Sequence, residues 1–156
     1  MVFGKTASGA RNGAERHLAV AKAKRIMSEK TLKCVLLADR HHGLTEGVRR
    51  LLETSFDAVV MVADEISLLE SAERLQSTLA IVDLSLVASH NLQWLARLRT
   101  LCPTTKLIVL SIHNDPAVRR AAMESGADGF VLKSAIATDL LPAIDAVMAE
   151  QPSRGD

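Results

Sequence analysis

The chain has 156 residues, 48% of them apolar and 24% charged, a composition that suits one globular domain with enough interior to bury a core. Three Phe, one Trp and no Tyr make that core aliphatic and argue against a nucleic-acid surface built on stacked aromatic rings. The net charge of +1 hides a split, because residues 1–30 hold seven Lys and Arg against two Asp and Glu, a net of +5, which leaves −4 on the remainder. No run of about 18 apolar residues is present to cross a bilayer, and the N-terminus lacks the apolar stretch of a secretory signal. Cys34 and Cys102 have no C-x-x-C spacing and suit a reducing compartment, so the chain reads as cytoplasmic.

Residues 1–30 read as a basic, flexible extension. Residues 1–13 carry three glycines and little apolar pattern, and Ala14 to Ile26 has helix-forming composition without an apolar stripe. An Arg-rich, acid-poor start superficially fits an organelle transit peptide, and a plain basic tail is the preferred reading. Met27, just ahead of the first strong strand, is a candidate start codon that would leave the arm without a function.

From Lys33 onward, apolar runs bounded by turn residues alternate with helical patterns. Strands are expected at Cys34 to Ala38, Ala58 to Val62, Leu79 to Val82, Leu107 to Ser111 and Gly129 to Leu132, each apolar on both faces as a covered parallel sheet requires. Helices are expected where apolar residues recur at i, i+3, i+4 and i+7: Leu44, Val48, Leu51 and Leu52; Ile66, Leu69 and Ala72; Leu92, Leu95 and Leu98; Val118, Ala121 and Ala122; Leu140, Leu141, Ile144, Val147 and Met148. Asn91 precedes the third helix, Asp115 with Pro116 opens the fourth, Gly126 follows it, and Thr138 or Asp139 opens the fifth, which puts Pro142 in a first turn. Five βα units predict a three-layer, doubly wound α/β domain over residues 31–150, followed by a polar tail at 151–156 with no room for an output domain.

In such a sheet the site lies outside the carboxyl ends of the strands, near the point where strand order reverses. Asp39, Asp83, Ser111 and Lys133 end four of the five strands. A carboxylate there can act as a nucleophile toward phosphorus if cations offset the charge on the phosphoryl oxygens, and Lys133 and a bound Mg²⁺ are the candidates.

This arrangement resembles the receiver domain of two-component response regulators, and its strings are similar to the NarL/FixJ subfamily. The matching stretches are Val35-Leu-Leu-Ala-Asp-Arg-His, Ala80-Ile-Val-Asp-Leu-Ser-Leu, Leu107-Ile-Val-Leu-Ser-Ile-His and Glu124-Ser-Gly-Ala-Asp-Gly-Phe-Val-Leu-Lys-Ser. The resemblance implies a flavodoxin-like five-stranded sheet of order 2-1-3-4-5. It implies Asp83 as phosphoacceptor, Asp39 in the acidic pocket, and Mg²⁺ held by Asp39, Asp83 and the Ser85 backbone carbonyl. Lys133 would contact the phosphoryl group, and Ser111 with the aromatic Phe130 would form the switch.

The sequence departs from the family at two places. Arg40 stands where the family's second acid usually ligates Mg²⁺, and a guanidinium in that seat opposes a dication and has Asp39 or Asp83 as partners. The loop after Asp83 carries Val87, Ala88 and Asn91 in place of the usual Pro-Gly and a later Gly. His41 and His42 read as loop residues that point different ways, with no third spaced ligand, and His113 reads likewise. Trp94 lies one helical step off its stripe, as a partly exposed anchor or a shield for the core edge. Cys34 and Cys102 read as structural, and Arg49 and Arg50 as a solvated face open to an interaction role.

The resulting expectation is a single-domain response regulator that is not an enzyme. It would be phosphorylated on Asp83 by a histidine kinase or phosphotransfer protein and signal by binding another protein, with a homodimer as a further candidate partner. The alternative is a phosphorylation-independent pseudo-receiver serving as an interaction or dimerisation module. A nucleic-acid contact through the basic arm ranks below both.

Overall fold

The computed structural model describes residues 13, 15–20, 33–87 and 91–150. Five parallel strands, β1 (Cys34–Ala38), β2 (Ala58–Val62), β3 (Leu79–Asp83), β4 (Lys106–Ser111) and β5 (Gly129–Leu132), form one sheet of order β2-β1-β3-β4-β5. The helices are α1 (His42–Leu52), α2 (Glu65–Leu75), α3 (Gln93–Leu101), α4 (Pro116–Glu124) and α5 (Ile136–Ala149), with short 3-10 turns at Leu84–Leu86 and Lys133–Ala135. Period-two alternation divides each strand between two cores. Cys34, Leu36 and Ala38 pack with Leu68, Ala72, Leu75, Leu95 and Leu98 of α2 and α3. Val35 and Leu37 pack with Val48 and Leu52 of α1 and Ile136, Leu140, Ile144 and Val147 of α5 on the opposite face.

The expected strands match these bounds within one residue, yet full burial holds only for β1, β3 and, past Lys106, β4. On the edge strand β2, Met61 is partly exposed to solvent. In α2 the buried stripe is Leu68, Ser71, Ala72 and Leu75, and Ile66, expected inside, is 71% exposed. Trp94 is 4% exposed and belongs to the core beside Leu95 and Leu98, which removes the anchor reading. The α4 helix buries only Ala122, the fewest buried residues of α1–α5 among the described residues.

Local chemistry explains the ends of the elements. Asp64 caps α2 through Ser67, and Asp115 caps α4 by accepting the Ala117 amide at 2.8 Å, with Pro116 at the first helical position. Leu92 is the N-cap residue of α3, and Asn91 Oδ1 accepts the Gln93 amide at 3.2 Å. The α5 helix starts at Ile136, directly off the 3-10 turn, so Pro142 is its seventh residue rather than part of its first turn. Pro142 is exposed, which leaves the carbonyl it cannot satisfy within reach of water.

Cys34 and Cys102 are buried free thiols, and burial pushes Cys34 up to about 11, where it is unreactive at neutral pH. Residues 15–20 are helical, Val20 packs on the core, and Arg16 donates to Ser67 Oγ at 3.3 Å, contacts the missing apolar stripe did not foretell. Met27, Ala88 and the tail lie outside the described residues. Among the described residues no helix is long and apolar enough to cross a membrane.

Two glycines should respond in opposite directions. Gly126 has φ +120°, and a Cβ there would sit 3.2 Å from Arg99 Cβ, whose guanidinium donates to the Gly126 carbonyl at 2.8 Å. Gly126→Ala should lower stability in urea unfolding by about 2 kcal/mol. Gly47 lies inside α1 with open space around its Cβ position, and Gly47→Ala should raise stability by about 0.5–1 kcal/mol.

Candidate functional site

The register of the sheet builds the site. Ala38 pairs with Val82 across β1 and β3, so Asp39 and Asp83 emerge side by side where strand order reverses. Ser111 pairs with Leu132 across β4 and β5, and Lys133 follows at once. Asp39 is 3% and Asp83 1% exposed, two carboxylates in a crevice that disfavours uncompensated charge.

Lys133 supplies the compensation. Its ammonium donates to Asp83 Oδ2 at 2.7 Å and faces Asp39 Oδ2 at 3.1 Å. Asp83 is also held by Ser85, whose amide donates to Oδ1 at 3.1 Å and whose hydroxyl donates to Oδ2 at 2.6 Å. Burial alone would push the Asp83 carboxyl up, but the bonds from Lys133 and Ser85 and the ammonium charge outweigh it and hold the group below the ordinary carboxylate range. The family resemblance points only to the Ser85 carbonyl, and the fold adds its hydroxyl.

His41 also belongs to the pocket, which overturns its reading as an uninvolved loop residue. Asp39 Oδ1 accepts the His41 amide at 2.9 Å, and this tight turn swings the ring back so that Nδ1 lies 3.1 Å from the same oxygen and 3.7 Å from Asp83 Oδ2. Lys133 Nζ lies 3.3 Å from His41 Nδ1. The Thr45 hydroxyl donates to the His41 carbonyl at 2.7 Å and fixes the turn to the start of α1. An aspartate at a strand end is a sequence signal for a turn onto the amide two residues on, but not for the direction of the ring that follows.

Arg40 is not among these groups. Its Nη2 donates to the Leu86 carbonyl at 2.6 Å, and among the described residues it forms no ion pair with Asp39 or Asp83. The guanidinium is drawn to the orphan carbonyl of the 3-10 turn after β3 instead of the carboxylates. Ser111 is buried, and its hydroxyl accepts the His113 amide at 3.0 Å within its own turn, so it is not bonded to Asp83. Phe130 is half-buried on β5, with the Arg119 guanidinium 5.9 Å over its ring.

Oxygens of Asp39 and Asp83 and Nδ1 of His41 lie within 4.8 Å of one another, and Asp39 Oδ2, though it faces the ammonium, has no hydrogen-bond partner. Two buried carboxylates offset by a single ammonium, with an imidazole nitrogen beside them, fit a divalent cation.

Removing the ammonium should expose the strain of the pair. Lys133→Met is expected to cost about 3 kcal/mol at pH 7, because it leaves buried carboxylates unpaired. The folded-state value of Asp83 is depressed, so its stabilisation is present above its unfolded value of about 4 and is lost as pH falls through the folded value. The gap between the two proteins in urea unfolding should therefore shrink as pH is lowered below about 4.

Comparison with known proteins places this geometry in a family. The response regulator receiver domain family matches residues 35–145. The nitrate/nitrite response regulator NarL of Escherichia coli is 31% identical over 120 residues, which make up 76% of this chain and 56% of that protein. The chain thus spans about half the length of the relatives it matches. A response regulator from Burkholderia pseudomallei, solved with a phosphorylated aspartic acid, a calcium ion and citrate, is similar with a TM-score of 0.65 and 26% identity over 75% of this chain and 73% of that one. RcsB from Salmonella enterica serovar Typhimurium, solved bound to promoter rprA with a phosphomimetic, has a TM-score of 0.65 and 28% identity over 76% of this chain and 99% of that one. A buried aspartate pair at the switch point of a 2-1-3-4-5 sheet, bridged by a lysine from the end of β5, accompanies these matches, and the chain belongs to the response regulator receiver domain family.

Proposed function

We propose that Asp83 accepts a phosphoryl group from a histidine kinase or phosphotransfer protein and that the changed surface is then read by another protein. The observation that carries this reading is the Lys133 ammonium 2.7 Å from Asp83 Oδ2 at the end of a buried strand, where an incoming phosphoryl group meets both nucleophile and counter-charge. In the transfer the phosphorus–nitrogen bond of a donor phosphohistidine breaks as a phosphorus–oxygen bond to Asp83 forms, and the donor imidazole leaves with the electron pair and takes up a proton. Ser85 orients the carboxylate through its amide and hydroxyl. Receiver domains typically bind Mg²⁺ at an acidic site. In this chain Asp39, Asp83 and the Ser85 carbonyl would hold the ion, which offsets charge on the phosphoryl oxygens. The match to a relative that carries a phosphorylated aspartic acid supports the same role for Asp83.

The output is assigned to Ser111, Phe130 and the face of α4 and β5. Ser111 and Phe130 lie on one side of the sheet, because Val109 pairs with Phe130 and Ser111 with Leu132. A cavity of about 260 Å³ lined by Phe130, Leu132, Asp115, Arg119 and Asp139 gives the ring room to move beside the weakly held α4. Exchange of the His113 amide for a phosphoryl oxygen as the partner of Ser111 would bias that face. The module is residues 31–150, and the reading gives it protein partners; the promoter contact stays with RcsB.

Intact-mass spectrometry after incubation with acetyl phosphate and Mg²⁺ should find one labile phosphoryl adduct on the wild type, none on Asp83→Asn, and a larger fraction on Arg40→Asp. An adduct on Arg40→Asp alone would favour the phosphorylation-independent interaction module, whose support is the missing second acid. Ser111→Ala should keep the adduct and lose the change in the Phe130 ring resonances that phosphorylation produces in the wild type.

A further inference from the structure

The geometry points to His41 as the third donor of the cation pocket, making a set of two carboxylates and one imidazole that takes a first-row transition-metal dication in preference to Mg²⁺. This deepens the phosphoacceptor reading by naming the ion of the same site, and it rests on that reading for the use of the ion, not for its binding.

Asp39, Asp83 and His41 already converge on one positive charge. The Lys133 ammonium lies 3.1 Å from Asp39 Oδ2, 2.7 Å from Asp83 Oδ2 and 3.3 Å from His41 Nδ1, so the three donors face a common point. Asp39 Oδ2 is buried and makes no hydrogen bond, met only by the shared ammonium at 3.1 Å, so one positive charge is left to offset two carboxylates. Arg40, which follows Asp39 in the chain, offers no ligand, since its guanidinium is occupied by the Leu86 carbonyl. The next residue does, and its position is not loose: the His41 amide is fixed on Asp39 Oδ1 and its carbonyl on the Thr45 hydroxyl and amide.

The donor chemistry then selects the ion. Mg²⁺ is a hard cation that takes oxygen ligands and sheds water reluctantly, so a pocket that replaces one carboxylate by a neutral imidazole loses both charge and hardness toward it. Transition dications accept nitrogen and oxygen together and gain along the first row from the imidazole. Binding would displace the Lys133 ammonium from the shared point and leave it beside the pocket, free to meet an anion there.

Mn²⁺ added alone to the full chain tests this, with electron paramagnetic resonance to count bound ion and spin-echo modulation to detect a coordinated ¹⁴N. The wild type should bind one Mn²⁺ with nitrogen modulation, and Mg²⁺ should displace it only in large excess. His41→Ala, which removes a ring 58% exposed and so spares the core, should lose the modulation and bind Mn²⁺ at least about tenfold more weakly. His41→Asp should keep binding, lose the modulation and let Mg²⁺ compete on equal terms. Wild-type protein that binds no Mn²⁺, binds it without nitrogen modulation, or matches His41→Ala in affinity would overturn the inference. None of these measurements uses a phosphodonor, so an Asp83 adduct formed with Mg²⁺ would leave the phosphoacceptor reading standing even where this one fails.

Discussion

Two carboxylates that end neighbouring parallel strands in a water-poor crevice need a cation between them, and in this chain that cation is the Lys133 ammonium. Its position is set far from the pocket. The β4–β5 register carries Lys133 to the sheet edge, and Asp128 anchors the start of β5 by accepting the Leu107 amide at 2.8 Å and the Arg99 guanidinium at 2.5 Å. The same arginine holds the Gly126 carbonyl at 2.8 Å. The string Gly126-Ala-Asp-Gly-Phe is thus a fastening for the strand that delivers the lysine, with Phe130 at its end.

The pocket is rigid on one side and yielding on the other. Asp39 and Asp83 sit buried at the ends of strands tied into two apolar cores, whereas α4 carries one buried residue and Ser111 bonds only its own turn. A charge change at Asp83 would therefore meet resistance in β1 and β3 and compliance toward β5 and α4, the direction that the proposed function gives to a signal. Arg40 fits this division, because its bond to the Leu86 carbonyl braces the turn beside Asp83 and keeps its charge out of the crevice.

The sheet was legible in the sequence because a parallel strand covered on both faces reads as a short apolar run with a polar residue at its end. Strand ends then named Asp39, Asp83 and Lys133 without any knowledge of contacts. What the sequence hid depends on side-chain direction. Arg40 follows Asp39 directly and was expected to meet a carboxylate, yet a carbonyl in the turn after β3 captures it. His41 read as a loop residue because the turn that folds it back on Asp39 is a hydrogen bond, not a residue type. Trp94 read either as a partly exposed anchor or as a shield for the core edge, and the structure favours the second, because a helical stripe widens where a large ring reaches around to the core. The start of α5 was misplaced because the 3-10 turn at Lys133–Ala135 feeds it without a capping side chain.

The pocket depends on the ammonium being held by Asp83 in the folded protein, and side-chain nuclear magnetic resonance addresses that directly. A ¹⁵N-detected spectrum of the Lys133 ammonium should contain a slowly exchanging resonance with scalar coupling through the hydrogen bond to the Asp83 carboxylate carbon, lost in Asp83→Asn. An ammonium that exchanges with water as fast as an exposed lysine, and feels no change in Asp83→Asn, would contradict the account.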